Sequence, residues 1–494
     1  MSAMSPAVSP MLILAYVLLL GSAWSEPSDV TERDRVTSLP GAPEKLPTMY
    51  SGYLSLRDDP RRQMFYTFVL PSTLANTSTD DPIIMWTNGG PGCSGLLGFL
   101  AEQGPLRPVS LPHGSVALTH NEWSWTQLRS MLFLEQPLGV GFSFSDLPGD
   151  KFANDSIAAE QMREALLAFK RKFPRFKHSP FVLSSESYGG KYIPTLANRI
   201  LDGNDDPEQD SIDISGGLLI GNPYVGPIEN EYGIYTSDYG HGIVPSWLYR
   251  PWLDNCAGTH PYMKNASVCS SLEQAMQHAS SNVNPYALDY PLCRSEQSSS
   301  LGVPRASDSS KSPSDAKSWV PAPRSPQPCT EELVPAYLNR RDVQDALGAY
   351  PTRWVTCAEE PSVYYNRTEL MAESQYLYKR IVKRTNGMLP MLLYSGDDDS
   401  VCAPHGTMWW MHALADDESA WNVVKERTSW KPWFAEPKGK FQARFGGFYT
   451  MFSENVTFCT VHFGGHEVPL WQPERSLSLA SGFLDRFFFT QQSK

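Results

Sequence analysis

The segment Phe181-Val182-Leu183-Ser184-Ser185-Glu186-Ser187-Tyr188-Gly189-Gly190 combines residue types and spacings that could do chemistry. An apolar run of strand length enters a serine flanked by small residues, and a helical stretch follows. This is the strand–turn–helix corner of a Gly-x-Ser-x-Gly pentad, with Ser185 in place of the first glycine. Such a corner holds a serine hydroxyl out as a nucleophile. It is so tight that the positions two before and two after the serine must be small, which Ser185 satisfies nearly as well as glycine. Taken alone, the pentad also fits an ordinary corner with an inert serine.

A serine nucleophile needs a base, and the base needs an orienting carboxylate. Downstream, Leu393-Tyr394-Ser395-Gly396-Asp397-Asp398-Asp399 places acids at the end of a strand-like run, and Gly464-Gly465-His466-Glu467-Val468-Pro469 places a histidine in a glycine-rich loop. The order serine, acid, histidine is that of α/β-hydrolases. Three adjacent aspartates also suit a solvated turn, and His462 and His405 are rival bases that spacing does not exclude. Upstream, Trp86-Thr87-Asn88-Gly89-Gly90-Pro91-Gly92-Cys93-Ser94-Gly95 follows another strand-like run. Its backbone N–H groups could face a developing oxyanion. It lacks the Gly-Lys-Ser/Thr ending of a phosphate-binding loop.

These residues need elements to position them. Ile83–Trp86, Met131–Leu134, Phe181–Leu183, Leu218–Ile220 and Met391–Tyr394 are continuous apolar runs, the texture of strands buried on both faces of a parallel sheet. Between two of them, Ala158, Met162, Leu166, Phe169 and Phe173 recur at helical spacing, with Asp155 or Ser156 as the expected cap and Pro174 as the stop. Strand, helix, strand predicts an α/β fold. After Asn222-Pro223 the texture changes. Residues 224–368 hold five of the eight cysteines and a Ser/Pro-rich stretch, 295–328, which reads as a flexible loop.

The division that follows is a signal peptide at 1–25, a sheet domain in two parts (26–223 and 369–494), and an inserted cap at 224–368. The apolar run Met11–Gly21, with small residues at Ala23 and Ser25, is too short to span a bilayer and suits a cleaved secretory signal. The mature chain is then expected to have no stable membrane insertion. In a secreted chain the sequons at Asn76, Asn154, Asn265, Asn366 and Asn455 become candidate glycan sites, and cysteines can pair. Composition bounds the rest. The chain has 494 residues, with 41 Lys+Arg against 53 Asp+Glu, a net charge of −12. That balance excludes an ordinary nucleic-acid binder, and a 41% share of hydrophobic residues excludes global disorder. No His-Glu-x-x-His pattern points to a metal, and no cofactor is expected.

Taken together and in order, these motifs resemble the serine carboxypeptidase family. The likeness runs from about residue 35 onward. It includes Leu39-Pro40-Gly41, Tyr50-Ser51-Gly52-Tyr53, Trp86 to Ser94, Glu135-Gln136-Pro137-Leu138-Gly139-Val140-Gly141-Phe142-Ser143, Glu186-Ser187-Tyr188-Gly189 and Gly221-Asn222-Pro223. It continues through Tyr337 to Gln344, Asp397 to Asp399, and Gly465-His466. The resemblance implies an α/β-hydrolase fold with a mixed, mostly parallel central sheet and an inserted cap subdomain. It implies a triad of Ser187, Asp399 and His466, and oxyanion donors at the backbone of Gly90 and Tyr188. Trp86, Asn88, Gly89, Glu102 and Glu186 would bind the substrate's C-terminal carboxylate. The expected partners are peptide or protein C-termini, and the chain is expected as a monomer or homodimer in a secreted, vacuolar or lysosomal setting. Two glutamates facing an anion repel it unless they hold protons, so binding is expected to favour acidic pH. An acyltransferase with the same triad, or a protective partner protein, are the alternatives. The family suggests Cys93 with Cys357. Local order suggests Cys256 with Cys269 and Cys293 with Cys329, leaving Cys402 and Cys459, the former three residues from Asp399.

Overall fold

The short apolar runs become strands covered on both faces. The computed structural model describes residues 29–71, 81–111, 114–258, 266–293, 329–416, 430–435, 444–453 and 455–486. The expected signal segment, the sequons at Asn76 and Asn265 and the stretch 295–328 lie outside these residues.

Among the described residues the strands are β1 (Met49–Ser55), β2 (Arg62–Val69), β3 (Ile83–Thr87), β4 (Leu106–Ser110), β5 (Val116–His120), β6 (Met131–Leu134), β7 (Phe144–Ser145), β8 (Phe152–Ala153), β9 (Phe181–Glu186), β10 (Gly217–Gly221), β11 (Tyr364–Tyr365), β12 (Met391–Gly396), β13 (Lys431–Ala435), β14 (Arg444–Ser453) and β15 (Val456–Val461). The main sheet runs β1-β2-β6-β3-β9-β10-β12-β15-β14-β13, with β7 beside β2. From β6 to β15 every pairing is parallel. Antiparallel pairs close both margins.

Alternate side chains of the central strands enter opposite cores, as a two-residue repeat requires. Ile84, Trp86, Met131, Phe133, Val182, Leu219 and Leu392 pack on one face. Ile83, Met85, Leu132, Leu134, Leu183, Leu218 and Leu393 pack on the other. The predicted helix forms over Asp155–Lys172 and lays Met162, Leu166 and Phe169 on the second face. Its cap is Asn154 rather than Asp155 or Ser156: the Asn154 side chain accepts from Ile157 N–H, and Asp155 becomes the first helical residue. Asparagine has the short carbonyl arm this position rewards.

The chain between β10 and β12 serves two cores. Helices Pro227–Gly240, Ser246–Asn255 and Ala266–Ser280 gather Tyr235, Tyr249, Trp252 and Met276 in a cluster of their own. Leu333, Tyr337, Val343 and Leu347 instead join the first core of the sheet. There the Tyr337 hydroxyl donates to Pro40 O at 2.9 Å. Disulfides link Cys93 to Cys357, Cys256 to Cys269 and Cys293 to Cys329, and Cys402 and Cys459 are free and buried. Among the described residues, no helix is long and apolar enough to cross a membrane. The one grouping of possible metal ligands among them, Cys293, Cys329 and Glu332, has both sulfurs tied in a disulfide.

Candidate active site

Parallel strands end on the same side, and the loops beyond those ends are where open α/β sheets build their sites. Here β3 leads to Asn88, β6 to Glu135, β9 to Ser187, β10 to Asn222, β12 to Asp397–Asp399 and β15 to the His466 loop.

Ser187 stands between β9 and the helix Gly189–Asn204 at φ 59°, a left-handed conformation rare outside glycine. Its N–H donates to Gly221 O at 3.0 Å, and its carbonyl accepts from Tyr224 N–H at 2.8 Å. The corner is as crowded as its spacing predicts. A Cβ on Gly189 would lie 2.2 Å from Ser185 Oγ. The oxyanion-loop candidate presses on the same corner: a Cβ on Gly89 would meet Tyr188 N at 2.6 Å and Ser187 Cβ at 2.8 Å.

His466 Nδ1 and Asp399 Oδ2 are 2.9 Å apart, and both side chains are buried. Asp399 is itself held by Asn222 Nδ2 at 2.7 Å, Val401 N–H at 2.7 Å and Cys402 N–H at 3.0 Å. Burial works to lower the pKa of His466. The charge and hydrogen bond of Asp399, with the charges of Glu467 and Glu102, outweigh that and raise it. The rivals are placed elsewhere. His462 pairs with Asp397 at 2.8 Å, half exposed. His405 lies in the first turn of Pro404–Asp416, where burial lowers its pKa and Nδ1 has no partner. Among the described residues the hydrogen bonds of His466 run to Asp399 and Tyr286 O. A Ser187–His466 bond is not among them, and such bonds commonly tighten only when substrate is bound. Cys402 is a buried thiol three residues from Asp399, and burial pushes its pKa well above the usual thiol range.

Beside this dyad lies a pair of buried carboxyls. Asn88 Nδ2 donates to Glu102 Oε1 at 2.8 Å and to Glu186 Oε1 at 2.7 Å, while Trp86 Nε1 and Gly98 N–H hold Asn88 Oδ1 at 2.9 and 3.1 Å. Burial raises Glu102 to about 7. Burial, then the charge of Glu102, raises Glu186 well above the usual carboxylate range. One oxygen of each, Oε2, is buried without a partner. Two carboxyls with raised pKa values and spare oxygens can offer O–H donors to an incoming anion.

Several supporting residues carry no strong sequence signal. Asn222, a motif residue without an evident role, orients Asp399. Arg107 Nη2 donates to Glu102 O at 3.0 Å and Pro469 O at 2.9 Å, joining the carboxyl pair to the histidine loop. Asp155 accepts from the hydroxyls of Tyr188 at 3.0 Å and Tyr365 at 2.6 Å. The buried Lys191 Nζ donates to the carbonyls of Glu369, Leu370 and Ala372. Glu135 accepts from Ser94 Oγ, Trp354 Nε1 and Phe142 N–H, and burial raises its pKa to about 7. Adjacency was the one signal available for Glu467, the residue after His466. The others meet through contacts between residues far apart in the chain.

The family model described as serine carboxypeptidase matches residues 40–486. Serine carboxypeptidase-like 45 of Arabidopsis thaliana is 30% identical over 96% of this chain and 97% of its own. Serine carboxypeptidase-like 32 of the same organism is 29% identical over 97% and 98%. Among solved structures, the prohormone-processing carboxypeptidase Kex1 of Saccharomyces cerevisiae superposes with a TM-score of 0.70 at 22% identity, covering 92% of this chain and 96% of that one. At that identity the likeness is one of fold.

Proposed function

The chain belongs to the serine carboxypeptidase family, and from that premise we propose that it is a serine-type exopeptidase removing C-terminal residues from peptides at acidic pH. Ser187 Oγ attacks the scissile carbonyl as His466 takes its proton. The oxyanion is received by the N–H groups of Gly90 and Tyr188. His466 then protonates the leaving amino acid, and Asp399 stabilises the imidazolium throughout. Water, deprotonated by His466, releases the acyl group from Ser187.

The observation that carries the reading is the Asn88-bridged pair Glu102/Glu186, buried beside Ser187. An endopeptidase has no use for a carboxylate receptor so close to its nucleophile. In this reading the pair, Asn88 and Gly89 grip the substrate's terminal carboxylate, with Trp86 fixing Asn88, and so place the last peptide bond at Ser187. The pair must hold protons to do so, which argues for an acidic secretory or lysosome-like compartment, where a net charge of −12 also shrinks.

Incubating the mature protein with N-blocked dipeptides at pH 5, beside Ser187→Ala, tests this. Release of the C-terminal amino acid by the wild type and not by the variant is expected. Release that persists in the variant would overturn the triad. No release from any peptide, with acyl transfer to an added alcohol, would move the assignment to an acyltransferase.

A further inference from the structure

Two of the five sequons share a feature that the other three lack. Phe152-Ala153-Asn154-Asp155-Ser156 and Tyr364-Tyr365-Asn366-Arg367-Thr368 each carry an aromatic residue two positions before the asparagine. At Asn76, Asn265 and Asn455 that position is Leu74, Met263 and Ser453. The two aromatic sequons lie more than two hundred residues apart in the chain, yet the fold sets them side by side. β8 and β11 pair in parallel, Phe152 opposite Tyr364 and Ala153 opposite Tyr365, and Asn366 N–H donates to Ala153 O at 2.9 Å. The rings of Phe152 and Tyr364 stack with centroids 5.4 Å apart and planes 26° apart. Phe152 is 61% exposed.

We propose that Asn154 and Asn366 form one twin N-glycosylation site, in which Phe152 and Tyr364 carry the first N-acetylglucosamine of each glycan. In an extended strand residues two apart share a face, roughly 6.6 Å from one another, which is within reach of a sugar ring attached to the asparagine. Each carboxamide is already oriented. Asn154 Oδ1 accepts from Ile157 N–H at 2.7 Å and Asn366 Oδ1 from Thr368 N–H at 3.0 Å, so both oxygens face a helix start and both nitrogens face away from it. Asn455 differs in two respects: its Nδ2 donates to Gly387 O at 2.9 Å, and no ring stands two residues before it. A single exposed phenylalanine needs no explanation. Two stacked rings, each beside a sequon on its own strand, form an apolar platform suited to the C–H face of a sugar, as aromatic faces attract the positive edges of C–H groups.

The donor is a lipid pyrophosphate-linked oligosaccharide. In each transfer Asn Nδ2 bonds to the anomeric carbon of N-acetylglucosamine while the bond from that carbon to pyrophosphate breaks. The leaving group takes the electron pair, and the amide loses one of its two protons.

The test uses the full chain secreted from a eukaryotic host. Enzymatic glycan release in ¹⁸O-water marks each occupied asparagine for peptide mapping, and intact mass counts glycans per molecule. Asn154 and Asn366 are expected to be occupied on the same molecule, with Asn455 at lower occupancy. Phe152→Leu, which keeps apolar bulk and loses the ring, should cut occupancy at Asn154 at least twofold and leave Asn366 modified. Phe152→Tyr should restore it, and Tyr364→Leu should act in the same way on Asn366. An unmodified Asn154 or Asn366 in the secreted protein overturns the proposal, as does unchanged occupancy at both sites after both ring replacements.

Discussion

In the proposed triad Ser187, His466 and Asp399 act as a unit, so removing the nucleophile alone should cost about as much as removing all three. Ser187→Ala is expected to lower kcat by about 10⁶-fold, measured on a blocked dipeptide. The carboxyl pair makes a separate prediction. As pH rises through the raised pKa values of Glu102 and Glu186, the pair becomes anionic and repels a substrate carboxylate, so KM rises toward neutral pH. Glutamine cannot acquire that charge. Glu186→Gln should therefore flatten the rise, while raising KM at pH 5 by about tenfold through an altered hydrogen bond. A KM profile unchanged in shape would sink the reading that the pair binds substrate in its protonated form. Glu467 tests the base. Its negative charge helps to keep a proton on His466, and in the proposed mechanism catalysis begins with that proton removed. Glu467→Gln should lower the pKa of His466 and move the acid limb of kcat/KM to lower pH.

The nucleophile corner works as an element, and its tightness can be probed as a pair. Gly189→Ala drives a methyl group into Ser185 Oγ. It should destabilise the protein by roughly 1–3 kcal/mol, as overpacking does, and reduce activity. Ser185→Gly empties that space, so the double variant should recover much of both, as read from thermal melts and from kcat. Recovery in neither would show that the corner is not limited by this contact. Asp155 extends the same element. It ties Tyr188, whose N–H we place in the oxyanion hole, and Tyr365 to the first turn of the helix Asp155–Lys172. It is a positioning residue. Asp155→Ala should lower kcat more than it raises KM.

At the scale of the whole molecule, buried carboxyls recur at junctions between distant segments. Burial raises Glu102, Glu135 and Glu331 to about 7, Asp398 to about 7 and Glu229 to about 8. An acid whose pKa is higher in the folded chain binds more protons there than in the unfolded one between its ordinary value near 4 and its raised value. Stability then falls as pH climbs through that interval. The melting temperature should be highest near pH 5 and decline steadily to pH 8. Glu135→Gln, which joins Ser94 and Trp354 at the return of the cap segment, should weaken that dependence. A flat or rising melting temperature between pH 5 and 8 would contradict this account.

Much of this was legible in order along the chain, for reasons of local chemistry. Continuous apolar runs of strand length suit strands covered on both faces, and five such runs fall on strands of the sheet. A nucleophile corner demands small neighbours, and its spacing picked out Ser185, Ser187 and Gly189. The cap falls at Asn154, one residue before Asp155 and two before Ser156, because all three are good caps and local pattern does not choose among them. Spacing along the chain also left three histidines in contention, and family resemblance chose His466. The tertiary structure shows the physical difference, since only the loop after β15 lays that ring against Asp399 while His462 turns to Asp397. Arg107, Asp155 and Lys191 lay beyond sequence reasoning, since each works by reaching a carbonyl or hydroxyl on another element. Sequence determined which residues could do chemistry. The common end of six parallel strands decided which of them meet, because distance in space, and not order in the chain, sets hydrogen bonds, burial and shared protons.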